Sequence, residues 1–389
     1  MPTTTNNNNH DPSQENSNFM PMDEVSKKAP VLTSTPQQII QSNQIIKLLK
    51  FKSRQKEAEK AFLYAFADIE KQAVLDFITT LQDLPLETPD TEAAALIHKW
   101  YLSVGMQYKK EFAMTDKEYQ HYKSANIARI ITSHFSPQQK EKLKGKALLD
   151  VGAGDCVMTY LVSQHLEMEG NAIDIQTEID WGGETSSDQK RKNHYMAQLH
   201  NYYVYDGSDL VSAVKGKKFA VVMYNHSLHH FPSFQAQLNS LKQASQILEP
   251  GGVLFLSEHA NCFDEDILDL SHILLNLRYS IDKNQIPTPS DAKMAILKFK
   301  AEYQSLYFSK NILDRITQQL GFTLMREEVR SPTDVAKATF FCFVKKPSRA
   351  ELTYSPYFFD EDKASRLHHV KDSDHQDLPQ RRYSAESFN

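Results

Sequence analysis

Cysteine is nearly missing from this 389-residue sequence: it occurs only at Cys156, Cys262 and Cys342. The three are far apart and form no CxxC pair, which argues against a structural zinc site and against a disulfide framework. Isolated thiols suit a reducing cytoplasm. No apolar run approaches the roughly 18 residues that a membrane helix needs, and the N-terminus lacks the basic-then-apolar order of a signal peptide. A surplus of positive charge is also absent. Lys and Arg number 44 against 49 Asp and Glu, a formal net charge of −5. No global basic field therefore advertises nucleic acid, and a membrane partner is not expected.

Branched apolar residues are scarce at both ends. "MPTTTNNNNHDPSQENSN" is rich in Asn, Thr and Ser and cannot offset its own ordering entropy. Residues 1–35 are therefore expected to be a disordered tail, and 348–389 a polar, mostly disordered one in which "LTYSPYFF" packs locally. The asparagine-rich head and charged tail are also compatible with delivery into a host cell, as for a bacterial effector. Between the tails the apolar spacing changes character. From 36 to about 140 it is helical, beginning at Thr35-Pro36, a cap residue followed by a first-turn proline. The most basic stretch, "KLLKFKSRQK", reads as the solvated face of one of these helices.

From Ala147 short β-branched runs alternate with helical segments, the rhythm of a parallel sheet covered by helices. Strands are predicted at Ala147–Val151, Asn171–Ile175, Tyr202–Tyr205, Phe219–Tyr224 and Val253–Ser257. The alternation then breaks. "LGFTLMREEV" and "ATFFCFVKK" are both strand-like, and only about eight polar residues separate them. No crossover helix fits there, so the two must pair antiparallel.

The first strand runs into a glycine turn, "ALLDVGAGDC". Gly152 and Gly154 let the chain turn tightly in front of a helix N-terminus. A dinucleotide site needs a third glycine three residues after the second, and that position is Val157. S-adenosylmethionine (SAM), which has no phosphates, fits the turn better. Asp150, before the turn, can meet the amino group of the donor. Asp174, ending the second strand, can accept the ribose hydroxyl hydrogens. After the third strand, Asp206 can accept from an adenine amino group, and Gly207 lets the base lie against backbone.

With these motifs in place, residues from about Leu148 to Lys346 resemble a class I SAM-dependent methyltransferase. The carrying motifs are "LLDVGAGDC", "NAIDIQ", "YDGSDL", "FAVVMYNHSLHHF", "ILEPGGVLFLSE" and the closing "LGF" with its hairpin. The resemblance implies an α/β fold: a seven-stranded, mostly parallel sheet with a C-terminal antiparallel hairpin, helices on both faces and, here, an N-terminal α-helical extension. Two residues depart from the pattern. Cys156 stands where many members have a third glycine, and Ala220 where the fourth strand often carries Asp. "LSEHANCFDEDILDLSHILLNLRYSI" with "YFSKNILDRITQQLGF" is loosely similar to a subgroup from large DNA viruses and some bacteria, some of whose relatives cap messenger RNA. The expected organisation is a helical extension over 36–140 and a methyltransferase domain over 141–347. Within the latter, a helical insertion at 260–308 is expected to act as a lid.

Methyl transfer asks mainly for positioning, and for a base only if the acceptor must lose a proton. Asn225 lies at the cofactor edge after the fourth strand. His226 or His259 is the candidate base, and Glu258 shares their edge. His226, His229 and His230 fall on one helical face but are read as opening the next helix, so no metal is expected. His272, Tyr279, Tyr303 and Tyr307 are candidates to line the acceptor pocket, or to pack. Two other readings stay open. One is a non-catalytic protein that keeps the fold while its N-terminal helices bind a protein partner. The other is a cap-type RNA methyltransferase, for which Lys293, Lys298, Lys300 and Lys310 are the available cations.

Overall fold

A strand covered on both faces is buried along its whole length and reads as a near-continuous apolar run, and two strands are so buried, with polar residues only toward their carboxyl ends. β1 (Ala147–Val151) and β4 (Phe219–Asn225) are buried at every residue. They pair in parallel, Leu148 opposite Val221 and Asp150 opposite Met223. The computed structural model describes residues 42–108, 116–175, 187–260, 264–303, 305–331 and 333–346. Both predicted tails, the helix start at Thr35-Pro36, the "LTYSPYFF" segment and Cys262 lie outside the described residues.

Outward from β1 the sheet adds β2 (Glu169–Asp174) and β3 (Asn201–Val204), both parallel. Outward from β4 it adds β5 (Leu248–Glu258), also parallel. β6 (Phe322–Val329) and β7 (Thr339–Lys345) follow, and β7 inserts antiparallel between β5 and β6. The order is β3-β2-β1-β4-β5-β7-β6. This is the expected seven-stranded sheet with its closing hairpin. Strand order reverses between β1 and β4, and open α/β sheets bind ligands at the carboxyl edge beside such a switch. β5 starts five residues before its predicted position because Leu248 already pairs with Phe219, across a register shift.

The N-terminal region contains α1 (Gln44–Lys50), α2 (Lys52–Ala65), α3 (Lys71–Gln82), α4 (Asp90–Ser103) and α5 (Asp116–Ile131), with the short α6 (Pro137–Glu141) behind them. Their packing divides the region in two. Ile127, Ile130 and Ile131 of α5 share a core with Leu148, Val221, Phe255 and Phe340 of the sheet, so α5 belongs to the sheet layer. Ile45, Leu49, Phe62, Ile78 and Ile97 of α1 to α4 share a second core with the insertion after β5. The insertion forms α11 (Glu265–Asp282) and α12 (Pro289–Glu302). The remaining crossovers are α7 (Val157–Leu166), α8 (Ser187–Met196), α9 (Leu210–Ala213) and α10 (Phe234–Ile247), and α13 (Lys310–Gln319) precedes β6.

Extension and insertion are thus one helical body, and buried ion pairs tie its halves. Arg278 of α11 pairs with Asp68 at 2.7 Å, and both are buried. It also donates to the Ala65 carbonyl. Lys300 of α12 pairs with buried Asp90 at 2.5 Å. Removing one partner of such a pair strands the other charge and costs about 3–5 kcal/mol. The helix predicted over 291–308 ends sooner than its spacing implies. Tyr303 turns to extended backbone and caps it, so Tyr303 and Tyr307 lie on a strap leading to α13.

Candidate active site

The turn after β1 passes through the left-handed region three times, at Gly152 (φ +72°), Gly154 (φ +53°) and Cys156 (φ +64°). The third needs glycine's freedom as much as the others, yet carries a buried thiol. Such a residue stores about 1–2 kcal/mol of strain. Gly152 is needed for a different reason than ligand approach. A Cβ there would lie 2.6 Å from the Ser227 Cβ. The Ser227 hydroxyl donates to the Val151 carbonyl at 2.5 Å, so the loop after β4 is seated directly on the glycine turn.

The acids gather around this turn. Asp174 accepts the Gly154 N–H at 2.9 Å and the Ile175 N–H at 2.8 Å. Burial still raises its carboxyl above the usual range, against the Gly154 bond and the Lys192 ammonium. Asp150 accepts from the Thr159 hydroxyl at 2.6 Å through Oδ2, while its buried Oδ1 has no protein partner. Burial pushes Asp150 up to about 7, with Asp174 and Asp155 adding to the rise and the Thr159 bond and Lys123 opposing it. Asp206 stands apart. It is exposed, and its carboxylate is engaged by the Ser208 N–H and hydroxyl and by the Asp209 N–H. Those bonds hold it below the ordinary carboxylate value. Gly207 beside it has φ +83° and opens toward Ile175, an apolar side chain 59% exposed.

A ring of aromatic and imidazole groups closes the edge of β4 and β5. His226, His229 and His259 lie with ring centroids 5.6 to 6.4 Å apart. His272 of α11 meets His259 at 5.1 Å. The strap's Tyr307 tilts over His229 at 4.9 Å, and its Leu306 N–H donates to the His229 carbonyl at 2.9 Å. No three His, Cys, Asp or Glu among the described residues are arranged to hold a metal ion.

Partners separate the histidines by tautomer. The Nδ1 of His259 lies 2.9 Å from the Ala336 carbonyl. A carbonyl only accepts, so Nδ1 carries the proton and Nε2 the lone pair. His226, at φ +58°, faces Ser257 Oγ at 2.8 Å and the Arg330 guanidinium at 3.5 Å through Nε2. Arginine only donates, so Nε2 keeps its lone pair and the unpartnered Nδ1 is an N–H. In this arrangement His226 presents a donor, not a base. His229 Nδ1 lies 2.6 Å from Glu258 Oε2. Burial lowers His259 to about 4 and His229 to about 3, and raises Glu258 to about 8.

The sheet edge thus brings together Asp150, Gly152, Gly154, Asp174, Asn225, His226 and His259, and leaves Asp206 and Gly207 at the end of β3. Tyr279, on α11, is buried. Sequence reading missed several residues. Buried Lys123 of α5 lies in the field of Asp150 and His226. Arg330 joins His226 to Tyr64 of α2 (2.8 Å) and to Asp334 (2.9 Å). Lys123 occupies an ordinary helical position and Arg330 an ordinary strand end, so neither carries a local signal. The His229–Glu258 contact joins the loop after β4 to the end of β5, 29 residues apart. Both residues had been noted, but only the sheet pairs them.

A doubly wound sheet with a glycine turn at its switch point, strand-end acids and an antiparallel closing hairpin defines a Rossmann-like methyltransferase fold. A family model described as a methyltransferase domain matches residues 119–327, more than half of the chain. The chain belongs to this methyltransferase family. Among solved structures, it is similar to the N-methyltransferase NodS from Bradyrhizobium japonicum with S-adenosylhomocysteine (SAH): 9% identity, 59% of this chain, 89% of that one, TM-score 0.37. Magnesium protoporphyrin IX methyltransferase from Synechocystis with SAM gives 13%, 67%, 99% and 0.36. A 1,6-didemethyltoxoflavin-N1-methyltransferase from Burkholderia thailandensis gives 16%, 68%, 93% and 0.37. No curated protein matches the chain. Among the described residues no helix is long and apolar enough to cross a membrane.

Proposed function

We propose that the protein transfers the methyl group of SAM to an acceptor held between the β4–β5 edge and the helical body. One observation carries this reading. Buried polar atoms without a protein partner collect at the carboxyl edge of the parallel strands: Asp150 Oδ1, Asn225 Oδ1, His226 Nδ1 and Glu258 Oε1. Such atoms are costly unless a ligand or water meets them. A donor with an amino group, a carboxylate and two ribose hydroxyls offers matching partners.

In this reading Asp150 faces the amino group of the donor and Asp174 its ribose. Gly152 and Gly154 shape the turn, and Asp206, Gly207 and Ile175 border the base. Asn225 and the His226 N–H complete the methionine end. When bound, the donor supplies an electrophilic methyl carbon on a positively charged sulfur. The chain's own part is to position the acceptor, exclude water and take up a proton where the acceptor carries one. His259 keeps its lone pair on Nε2 beside His229, and His226 is set up to donate. The helical body reaches this edge through Tyr64 and His272, which supports its role as a lid.

The RNA reading gains less support. Three of its four lysines are ion-paired: Lys293 with Glu92, Lys300 with Asp90, and Lys310 with Asp314 and Glu327. The test is calorimetric titration with SAM and with SAH, repeated on Asp174→Ala. Micromolar binding that weakens at least tenfold in the variant is expected. Absence of binding to the intact chain would overturn the reading and turn attention to partner binding through the N-terminal helices.

A further inference from the structure

Resting on that reading, we infer that His229 and Glu258 form a proton-accepting dyad, with His229 as the catalytic base and Glu258 as its positioning residue. The acceptor is then a group that gives up an O–H proton during transfer. Three observations place the dyad. His229 follows Ser227 by two residues, and Ser227 is packed onto Gly152, so the loop that carries the base is anchored on the cofactor turn. Glu258 ends β5, the neighbouring strand, and its Oε2 holds His229 Nδ1 at 2.6 Å. Both side chains are buried, under 10% exposed. This is the base-plus-orienting-carboxylate arrangement of activated active sites.

The pair's proton count follows from its burial. A carboxylate beside a neutral imidazole carries one net negative charge, which burial disfavours. One added proton makes the pair net neutral, whichever partner holds it. The two groups therefore titrate as a unit near the raised carboxyl value, about 8, and the depressed imidazole reports the same preference. The groups facing the unit are His226 at the end of β4, His230, His259, His272 of α11, and the strap's Tyr303 and Tyr307. The Arg330 guanidinium, which faces the neighbouring His226, is engaged with Asp334.

With Nδ1–H held by the Glu258 carboxylate, Nε2 has the lone pair. During transfer the acceptor oxygen's electron pair bonds to the methyl carbon, and the carbon–sulfur pair returns to sulfur, which becomes a neutral thioether. The hydroxyl proton passes to His229 Nε2, and the resulting imidazolium is neutralised by Glu258. The positive charge lost at sulfur reappears on the dyad. The walls around it are rings, which favours a flat acceptor such as a phenol over a phosphorylated one.

The dyad can be tested before an acceptor is known. SAM and SAH carry the same amino, carboxylate and ribose groups and differ by the methyl and the sulfur's positive charge. Proton release driven by the amino group and ribose at Asp150 and Asp174 is therefore common to both, and any release that the sulfur's charge drives at those two acids persists in Glu258→Gln. A unit charge within about 8 Å lowers a buried carboxyl's pKa by roughly one to two units. Calorimetry at pH 7 in buffers of different ionisation enthalpy should show SAM releasing roughly 0.5 proton or more beyond SAH, by that same shift. Glu258→Gln should remove the dyad's share of that difference, roughly 0.5 proton by the same shift. Equal proton release by SAM and SAH in the unmodified protein would overturn the dyad and leave the donor reading standing. Failure to bind either ligand would instead sink the donor reading itself. Histidine NMR on the unmodified protein provides a second check. The His229 ring shifts should report the titration of Glu258 beside it, near pH 8 without ligand and at a lower pH with SAM, and ring shifts that do not respond to the sulfur's charge would refute the assignment.

Discussion

Gly152 gives the sharpest mutational test, because its two requirements can be separated. Gly152→Ala must hold an alanine at φ +72° and place a Cβ 2.6 Å from the Ser227 Cβ. The left-handed backbone alone costs about 1–2 kcal/mol. Relieving the overlap by shifting the Ser227 loop costs about 1–3 kcal/mol more, as in other overpacked sites. The total expected loss is about 2–5 kcal/mol in urea unfolding. Ser227→Gly should cost about 1 kcal/mol by itself, through the hydroxyl bond to Val151. In the double variant the overlap disappears and only the backbone strain stays. The double should therefore be more stable than the sum of the singles by about 1–3 kcal/mol. Because the shifted loop carries Asn225, His226 and His229, Gly152→Ala should also weaken SAM binding roughly tenfold, partly restored in the double. Additivity of the two substitutions within about 0.5 kcal/mol would refute the claim that turn and loop are packed on each other.

Stability should depend on pH in a defined direction. Asp150 and Glu258 have folded values raised to about 7 and about 8, so the folded state binds more protons and their contribution is lost as pH rises toward those values. His229 and His259, lowered to about 3 and about 4, contribute above pH 6.5 and lose it as pH falls. Between pH 6.5 and 8 only the acids act, so the melting temperature should fall across that window, and Glu258→Gln should flatten the fall. Arg330→Met leaves Asp334 buried without its guanidinium, and urea unfolding should show a loss of about 3 kcal/mol. Tyr64→Phe, which removes one bond to the same guanidinium, should cost about 1 kcal/mol. Cys156 and Cys342 are buried, and burial raises both thiols above the usual range. Mass spectrometry after N-ethylmaleimide should find both unmodified in the folded protein and both alkylated in urea.

The architecture was legible because its signals are local. β-branched runs, the glycine turn and a gap too short for a crossover helix each lie within a dozen residues, and together they mark the parallel strands and the closing antiparallel pair. The acids at 150 and 174 were legible for the same reason: each ends a strand, and strand ends are visible in the sequence. The helical body was harder to read. α1 to α4 and α11 with α12 are separated by more than 150 residues, and each is amphipathic without naming its partner. Only the sharing of Ile45, Phe62, Ile97, Leu274 and Ile296 in one core shows that extension and insertion are one body. The same limit governs the chemistry. Histidines at 226, 229 and 259 look alike in sequence, since an imidazole's role is decided by what its second nitrogen touches. A carbonyl from the turn before β7 fixes His259, a guanidinium from the end of β6 fixes His226, and a carboxylate from β5 fixes His229. All three partners arrive from elsewhere in the chain, and two of them come with the hairpin that inserts β7 beside β5. The antiparallel closure that identifies the fold therefore also supplies the groups that tell one histidine from another.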